Sequence, residues 1–189
     1  MPFRDLVGHR HVLELVAGAV ARESLPHSLI FAGPDGVGKR AAAVALAQLV
    51  NCPAPIDGDA CGTCASCTRV ARLVHADVFL VEPGDTGVIK VDQVREVVER
   101  TAYRPFEGRR RVVIVDEADA LLAEAQNALL KTLEEPPPGA FLLLPCGRPD
   151  ALLPTVRSRV ARLRVQGLHP DRVYELLVAD GIESPVARF

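Results

Sequence analysis

The sequence predicts an α/β protein in which a mostly parallel sheet lies between two layers of helices. An apolar run from Leu29 to Ala32 ends in a glycine-rich loop that opens onto a helix, and the segment RVVIVDE, Arg111 to Glu117, is an apolar run that ends in two carboxylates. Helical periodicity between such runs is typical of strands joined by crossover helices, which favours parallel pairing. Spacing alone does not determine the strand order.

Length and composition set broad limits on the protein. A chain of 189 residues with 49% hydrophobic residues supports one substantial core. A net charge of -2 argues against binding nucleic acid through bulk charge, although a local basic face remains compatible with it. No stretch has the length and apolarity of a membrane span, and the start, MPFRDLVGHR, lacks the apolar core of a signal peptide. We therefore expect a cytoplasmic protein with no membrane partner.

The segment LIFAGPDGVGKRAAAV has the order of a phosphate-binding loop. Its candidate nucleotide-binding residues are Gly33, Pro34, Gly36, Gly38, Lys39 and Arg40. The N–H groups of such a loop and the positive end of the helix dipole form an anion site, to which Lys39 would add a positive charge. The pattern places Ser or Thr after the lysine as a Mg²⁺ ligand, whereas this chain has Arg40. We therefore expect at most weak ATP or ADP binding and leave Mg²⁺ binding open; the alternative is a glycine-rich turn that arises by chance.

Asp116 and Glu117 are candidate catalytic residues at the carboxyl end of a buried strand. In α/β nucleotide enzymes this edge of the sheet carries the metal chemistry. Asp116 would hold Mg²⁺ through water, and Glu117 would polarise an attacking water if hydrolysis occurs. The alternative is a strand end without a function, and Asp119 is given no separate role.

Four of the five cysteines form a candidate metal site. Cys52, Cys61, Cys64 and Cys67 are separated by eight, two and two residues, and the intervening PAPIDGDA suits a loop folded around a metal. Four thiolates complete the tetrahedral shell of zinc and leave no open position, so such a zinc would be structural. The alternatives are a redox pair or scattered buried thiols. We interpret Cys146 as an ordinary buried residue.

The remaining elements follow from periodicity. Helices are predicted at Phe3 to Arg22, Arg40 to Val50, Thr68 to Leu73 and Val88 to Tyr103, with strands at Val78 to Glu82 and Phe141 to Leu144. The basic connection RPFEGRRR, Arg104 to Arg111, is interpreted as a solvated loop, with nucleic-acid contact as the alternative. His75 is interpreted as a cap or turn residue and not as a ligand.

Three segments together resemble the clamp-loader branch of the AAA+ ATPases. These are NALLKTLEEPP from Asn127 to Pro137, the strand Phe141 to Leu144, and RPDALLPTVRSR from Arg148 to Arg159. The cysteine segment resembles the zinc module of bacterial clamp-loader subunits. The segment VIKVDQVRE, Val88 to Glu96, and the substituted phosphate loop are more similar to the delta-prime type of bacterial DNA polymerase III subunit than to the gamma/tau motor. The resemblance covers residues 3 to 168.

The resemblance implies a P-loop AAA+ domain over residues 1–168, with a zinc module at about 51–70, and the incomplete start of a helical lid at 169–189. The Ser-Arg-Cys motif of clamp loaders, whose arginine reaches the nucleotide of a neighbouring subunit, matches Ser158, Arg159 and Val160. Arg159 is thus a candidate catalytic residue in trans, and a surface ion pair is the alternative. The family's polar sensor position falls on or near Cys146, where a thiol is a poor substitute for Thr or Asn.

The implied function is that of a delta-prime-type accessory subunit of the DNA polymerase III holoenzyme that hydrolyses ATP weakly or not at all. Its expected partners are the gamma/tau and delta subunits, and through them the sliding clamp and primed DNA. One alternative is an active gamma/tau-type ATPase. Another is a zinc-dependent nucleic-acid-binding module, which is disfavoured because the cysteines lack interleaved aromatic residues and a basic helix.

Overall fold

Five strands form one parallel sheet in the computed structural model, which describes residues 2–8 and 10–167 and, beyond them, residues 171, 173, 174 and 178. The strands are β1 (Ser28–Ala32), β2 (Val78–Val81), β3 (Arg111–Val115), β4 (Ala140–Cys146) and β5 (Ala161–Arg164). Their order across the sheet is β2-β3-β4-β1-β5, and every adjacent pair is parallel. The carboxyl ends of all five strands therefore meet at one edge.

Helices cover both faces of this sheet. They are α1 (Arg10–Ala21), α2 (Lys39–Asn51), α3 (Ala65–Ala71), α4 (Val91–Thr101), α5 (Ala123–Glu134) and α6 (Pro154–Arg157), with short 3-10 turns at Phe3–Asp5, Ala118–Ala120 and Pro149–Ala151. Alternate residues of each strand point to opposite faces. Leu29 and Phe31 of β1 therefore join a core with α1, α2 and α3, whereas Ile30 joins a second core with α4, α5 and α6. The predicted three-layer α/β architecture is confirmed.

The predicted helix from Phe3 to Arg22 is wrong in its first part. Phe3–Asp5 is a 3-10 turn, and α1 begins only at Arg10. Gly8 lies between them with a φ of 82°, a left-handed conformation that ends helical geometry and that glycine adopts without strain. Phe3 is buried although it lies in a 3-10 turn. The apolar residues before Arg10 therefore indicated burial and not a helix.

The predicted helix from Val88 to Tyr103 begins late, at Val91. The residues before it are extended, because the Ile89 N–H donates to the Ala120 carbonyl at 2.9 Å and the Leu122 N–H donates to the Ile89 carbonyl at 3.1 Å. Ile89 is fully buried in this pairing. An apolar residue in a buried extended segment satisfies the same pattern as one on a helix face, so periodicity did not distinguish the two.

The predicted short helix at Thr68 to Leu73 begins earlier, at Ala65, because the Cys64 sulfur caps it by accepting a hydrogen bond from the Cys67 N–H at 3.4 Å. Of the predicted lid segment, residues 171, 173, 174 and 178 are described and helical, and the others lie outside the described residues. Within the described part of the chain, no helix has the length and apolarity needed to cross a membrane.

Candidate functional site

The loop between β1 and α2 has the backbone geometry that the sequence predicted. Gly36 and Gly38 have φ values of 78° and 93°, in the left-handed region that favours glycine. Gly33 serves a different purpose, since a Cβ atom there would lie 2.0 Å from the Val165 carbonyl oxygen. The loop therefore turns tightly beside β5 and directs the chain into the N-terminus of α2.

Lys39 is folded back onto this loop. Its Nζ donates to the carbonyl oxygens of Gly33 at 2.9 Å and Pro34 at 2.7 Å, and it lies 3.0 Å from Asp35 Oδ1. The lysine side chain is only 10% exposed, whereas Asp35 is exposed. Lys39 thus places its positive charge beside the glycine loop, and its predicted position beside the phosphates of a nucleotide stays a prediction.

Arg40 connects the carboxyl ends of two neighbouring strands. Its Nη1 forms an ion pair with Glu82, the residue after β2, and lies 3.3 Å from Oδ2 of Asp116, the residue after β3. The Asp116 side chain is 14% exposed, so the guanidinium neutralises a carboxylate that has little contact with water. Glu82 was not predicted as part of the site, because its place beside Asp116 depends on the pairing of β2 with β3.

A cavity of about 960 Å³ opens at this edge of the sheet, and its lining includes Lys39, Arg40, Asp116, Glu117, Asp119 and Arg148. Glu117 is exposed and adopts a left-handed conformation with a φ of 49°. Asp116 Oδ1 accepts a hydrogen bond from the Glu117 N–H at 3.1 Å. The structure therefore brings together the predicted loop residues and the two predicted carboxylates, with a cavity large enough for a small-molecule ligand.

Asp119 is a site residue that the sequence analysis missed. Its carboxylate accepts hydrogen bonds from the Gly147 N–H at 3.0 Å and from Arg148 Nε at 3.2 Å. Burial raises the pKa of Asp119, but these hydrogen bonds outweigh burial and hold the pKa below its ordinary value. Its position in the run DEAD, three residues after Asp116, was the available signal.

Cys146 ends β4 beside Asp119 and is fully buried, as predicted. Burial and the negative charge of Asp119 raise the pKa of its thiol to about 12. At neutral pH this position therefore carries a protonated thiol, a weak hydrogen-bond donor, where the resemblance led us to expect Thr or Asn.

Arg159 lies outside this cavity, on the surface after α6. Its side chain is 36% exposed and its Nη2 lies 2.8 Å from Glu134 Oε1 at the end of α5. Its Nη1 donates to the Thr155 carbonyl at 2.9 Å and lies 3.2 Å from Ser158 Oγ. The predicted surface position agrees with the structure, and so does the alternative of a surface ion pair.

Cys52, Cys61, Cys64 and Cys67 converge, with sulfur atoms that all lie within 4.8 Å of one another. The Cys61 and Cys67 sulfurs are 3.9 Å apart. A tetrahedral zinc with metal–sulfur bonds of about 2.3 Å has sulfur–sulfur edges of roughly 3.8 Å, so the cluster fits that ion. All five cysteines of the chain are free thiols.

The backbone around the cluster favours thiolates. The Cys64 N–H donates to the Cys61 sulfur at 3.4 Å, and the Cys61 N–H donates to the Cys52 sulfur at the same distance. Backbone hydrogen bonds from Cys64 and Thr63 lower the pKa of Cys61 to about 6, whereas burial raises the pKa of Cys67. A metal binds the deprotonated sulfur, so the lowered pKa of Cys61 favours metal binding. The raised pKa of Cys67 opposes it, and the positive charge of a bound metal would offset that rise.

The N-terminal residues hold this cysteine segment against the domain. The Phe3 and Arg4 N–H groups donate to the Asp59 carboxylate at 3.0 and 2.9 Å. Arg4 Nη2 donates to the Cys61 carbonyl at 2.7 Å. The segment is therefore fastened at one side by residues that are distant in sequence.

At the opposite side, a buried polar network supports the basic connection from Arg104 to Arg111. The fully buried Asp77 carboxylate accepts hydrogen bonds from the N–H groups of Phe106, Glu107 and Gly108 at 2.7 to 2.8 Å. Burial raises the pKa of Asp77, but these hydrogen bonds and the nearby Arg111 outweigh it and keep the pKa below its ordinary value. Residues 104–110 of the connection thus form a loop, as predicted, with backbone N–H groups held by Asp77, whereas Arg111 is already the first residue of β3.

His75 and Asn51 complete this network. Asn51 Oδ1 accepts hydrogen bonds from the Arg109 and Arg110 N–H groups, both at 2.9 Å. His75 Nδ1 accepts from the Asp77 N–H at 3.1 Å, and Nε2 lies 3.1 Å from Ser66 Oγ in α3. Burial lowers the pKa of His75. The interpretation of His75 as a turn residue with its polar atoms satisfied agrees with these contacts.

The family model described as "DNA polymerase III, delta subunit" matches residues 8–169 of this chain. The chain belongs to this family. A delta' subunit of DNA polymerase III from Pseudomonas aeruginosa is 42% identical over 134 residues, which cover 70% of this chain and 41% of that protein. The gamma/tau subunit of Mycobacterium tuberculosis H37Rv is 35% identical over 175 residues, covering 93% of this chain and 30% of that protein. The chain thus spans less than half the length of these curated relatives.

Solved structures agree with this family assignment. A DNA polymerase III gamma subunit-related protein from Thermotoga maritima has a TM-score of 0.65 and 26% identity, covering 90% of this chain and 53% of that one. The RuvB Holliday junction branch migration motor of the same organism has a TM-score of 0.61 at 16% identity, covering 98% of this chain and 56% of that one, and supports the fold alone. The resemblance to the clamp-loader branch of AAA+ proteins is confirmed, with relatives of both the delta' and the gamma/tau type.

Proposed function

We propose that this chain acts as a delta-prime-type subunit of the DNA polymerase III clamp loader and does not itself hydrolyse ATP efficiently. The observation that carries the proposal is the contact of Arg40 with Asp116 and Glu82. In P-loop enzymes the residue at the Arg40 position supplies a hydroxyl to Mg²⁺, and an acid at the carboxyl end of another strand of the sheet, here Asp116 after β3, holds the same ion.

A permanent guanidinium charge beside Asp116 opposes a dication at that place. At about 4 Å, two like unit charges repel by roughly 4 kcal/mol at the effective dielectric of a protein surface, and a dication doubles this. Arg40 also removes one oxygen ligand. The loop amides and Lys39 remain, so an anion or nucleotide can still bind while the metal-dependent step is disabled.

In this proposal the four cysteines hold one structural zinc, which would offset two of the four negative charges of the thiolates and fix the segment from Cys52 to Cys67. Such a zinc has no open coordination position and takes no part in phosphoryl chemistry. The domain then serves as a scaffold for the gamma/tau and delta subunits when the sliding clamp is loaded on primed DNA.

The proposed contribution to hydrolysis is made in trans by Arg159. A guanidinium stabilises the charge that spreads over a transferring phosphoryl group and can do so from a neighbouring subunit. Its exposure and its position outside the cavity of its own chain support this role.

Nucleotide binding and steady-state ATP hydrolysis by the purified full-length protein test the first part of the proposal. We expect no turnover above background in the wild-type protein, and weaker nucleotide binding after Lys39→Ala. Turnover that Lys39→Ala abolishes would contradict the proposal.

An active gamma/tau-type ATPase is the second candidate, because the gamma/tau relatives align over 90 to 93% of this chain and Lys39, Asp116 and Glu117 are all present. The Arg40→Thr variant separates the two candidates. If the chain is an active ATPase, wild type and variant both hydrolyse ATP. If Arg40 is the obstacle, only the variant gains Mg²⁺-dependent nucleotide binding.

The Arg159→Ala variant in the assembled clamp loader tests the proposed role of Arg159 in trans. We expect ATP turnover by the complex to fall steeply, since arginine fingers contribute roughly 10³ to 10⁵ in rate at the site they serve. The matched control is Arg157→Ala, which removes another exposed arginine of the same segment, one paired with Asp150 at 2.7 Å. Equal turnover in the two variants would contradict the trans role.

A further inference from the structure

We infer that Glu134 is a positioning residue that orients the Arg159 guanidinium for its target in the neighbouring subunit. The inference rests on the proposed trans role of Arg159 and extends it to a second residue. Its basis is the 2.8 Å contact between Arg159 Nη2 and Glu134 Oε1.

The guanidinium is held from two directions. Glu134 contacts Nη2, while the Thr155 carbonyl and Ser158 Oγ contact Nη1. An arginine has five N–H donors. Among the residues that the structure describes, these three contacts account for at most three of them, which leaves at least two donors for an anion.

The backbones that carry Glu134 and Arg159 lie beside buried residues, although both side chains reach the surface. Glu134 is the last residue of α5, directly after the buried Leu133. Arg159 lies between the buried Val156 and Val160, and its N–H donates to the Val156 carbonyl at 3.0 Å. Leu133, Val156 and Val160 belong to one hydrophobic core, so the carboxylate and the guanidinium are carried by elements that pack together.

A flexible arginine in water samples many rotamers, and ordering it costs conformational entropy when it must meet a phosphate. An arginine ordered in advance binds a developing negative charge without that cost. The carboxylate of Glu134 restricts the guanidinium in this way while leaving donors free. Because it acts through Arg159 and touches no nucleotide, its effect is on the rate of the step that Arg159 assists.

The test is the Glu134→Gln variant in the complete clamp loader, with Glu135→Gln as the matched control. Glu135 is the adjacent, exposed carboxylate, so both variants remove one negative charge from the same surface. We expect Glu134→Gln to lower kcat for ATP by roughly 10-fold to 100-fold, with KM changed little, because displacing a positioned group costs about this much. Glu135→Gln should retain the wild-type kcat.

A double-mutant cycle separates the possible failures. If Glu134 acts through Arg159, Glu134→Gln adds no further loss to the Arg159→Ala complex. A further loss in the double variant, or a Glu134→Gln complex with wild-type kcat while Arg159→Ala is defective, overturns the inference and leaves the proposed function intact. If Arg159→Ala itself has no effect, the proposed function fails first.

Glu134→Asp provides the remaining control. A shorter carboxylate keeps the charge and recovers part of the lost kcat if the ion pair is what matters. A fall in the thermal unfolding midpoint of Glu134→Gln together with its loss of kcat would indicate a purely structural role and overturn the inference.

Discussion

The two ends of helix α2 carry the two conspicuous sequence motifs and differ in physical character. At its N-terminus, Arg40 is 43% exposed and its partners are charged side chains at strand ends. At its C-terminus, about 20 Å away for a helix of 13 residues, Asn51 and Cys52 are buried. There Asn51 accepts hydrogen bonds from backbone N–H groups of a loop that is distant in sequence.

This difference in burial explains why the N-terminal end of α2 tolerates a change of side chain more easily than the C-terminal end. A half-exposed position tolerates an arginine, since solvent and nearby carboxylates accommodate the charge at little cost. A buried acceptor that satisfies backbone N–H groups has no such freedom, because its loss leaves those groups unpaired. A domain of this kind can therefore lose catalytic function at the phosphate loop and keep its fold.

The largest effect, loss of the bound zinc, is expected from Cys67→Ser in the cysteine segment that follows the C-terminus of α2. The wild-type protein should contain one zinc per chain and the variant none, because a closed site needs all four thiolates. Elemental analysis measures the metal, and hydrogen exchange should show lost protection in the cysteine segment with the sheet still protected. Cys146→Ser, which removes a thiol remote from the cluster, should keep its zinc; a wild-type protein without zinc would remove this prediction.

Asp77→Ala should give the next largest effect. It removes a fully buried carboxylate that satisfies three backbone N–H groups, so we expect a loss of about 3 to 5 kcal/mol in the free energy of unfolding. Urea unfolding followed by circular dichroism measures the change. Asp85→Ala, an exposed carboxylate, should change stability by less than about 0.5 kcal/mol, and an equal loss in both variants would show that burial is not the cause.

A smaller effect is expected from protonation of His75. Burial lowers its pKa in the folded state, so below the ordinary histidine pKa of about 6.5 the unfolded chain binds more protons than the folded one. Stability should therefore fall as pH drops from about 7 toward 5. Urea unfolding across this range should show a shallower pH dependence for His75→Asn, and identical slopes would contradict the assignment.

The smallest effect on stability is expected from Arg40→Thr, at the phosphate-loop end. The pair of Arg40 with Glu82 is half-exposed, and Asp116, which is less exposed, keeps the hydrogen bond from the Glu117 N–H when Arg40 is replaced. Because half-exposed ion pairs contribute about 0 to 1 kcal/mol, we expect the free energy of unfolding to change by about 1 kcal/mol. Urea unfolding measures this free energy, and the nucleotide-binding assay is carried out on the same variant. A loss as large as that of Asp77→Ala would break the contrast between the two ends of α2.

Much of the candidate site was predictable because its signals are local. The spacing of the four cysteines and the order of strand, glycine loop and helix are short-range features that define their own geometry. Asp116 and Glu117 were placed correctly because any parallel strand presents its carboxyl end to the same edge of the sheet. The predicted starts of α1 and α4 failed because apolar spacing does not record the left-handed backbone of Gly8 or the extended pairing of the buried Ile89.

What the sequence by itself determined, then, is which chemical groups the protein has and which of them are clustered along the chain. Only the tertiary structure decided which distant groups meet. Glu82 reaches Arg40 because β2 pairs with β3, and Glu134 reaches Arg159 because α5 and α6 share one core. Strand order and helix packing are set by the burial of apolar surface summed over the whole domain, and no local spacing records that sum.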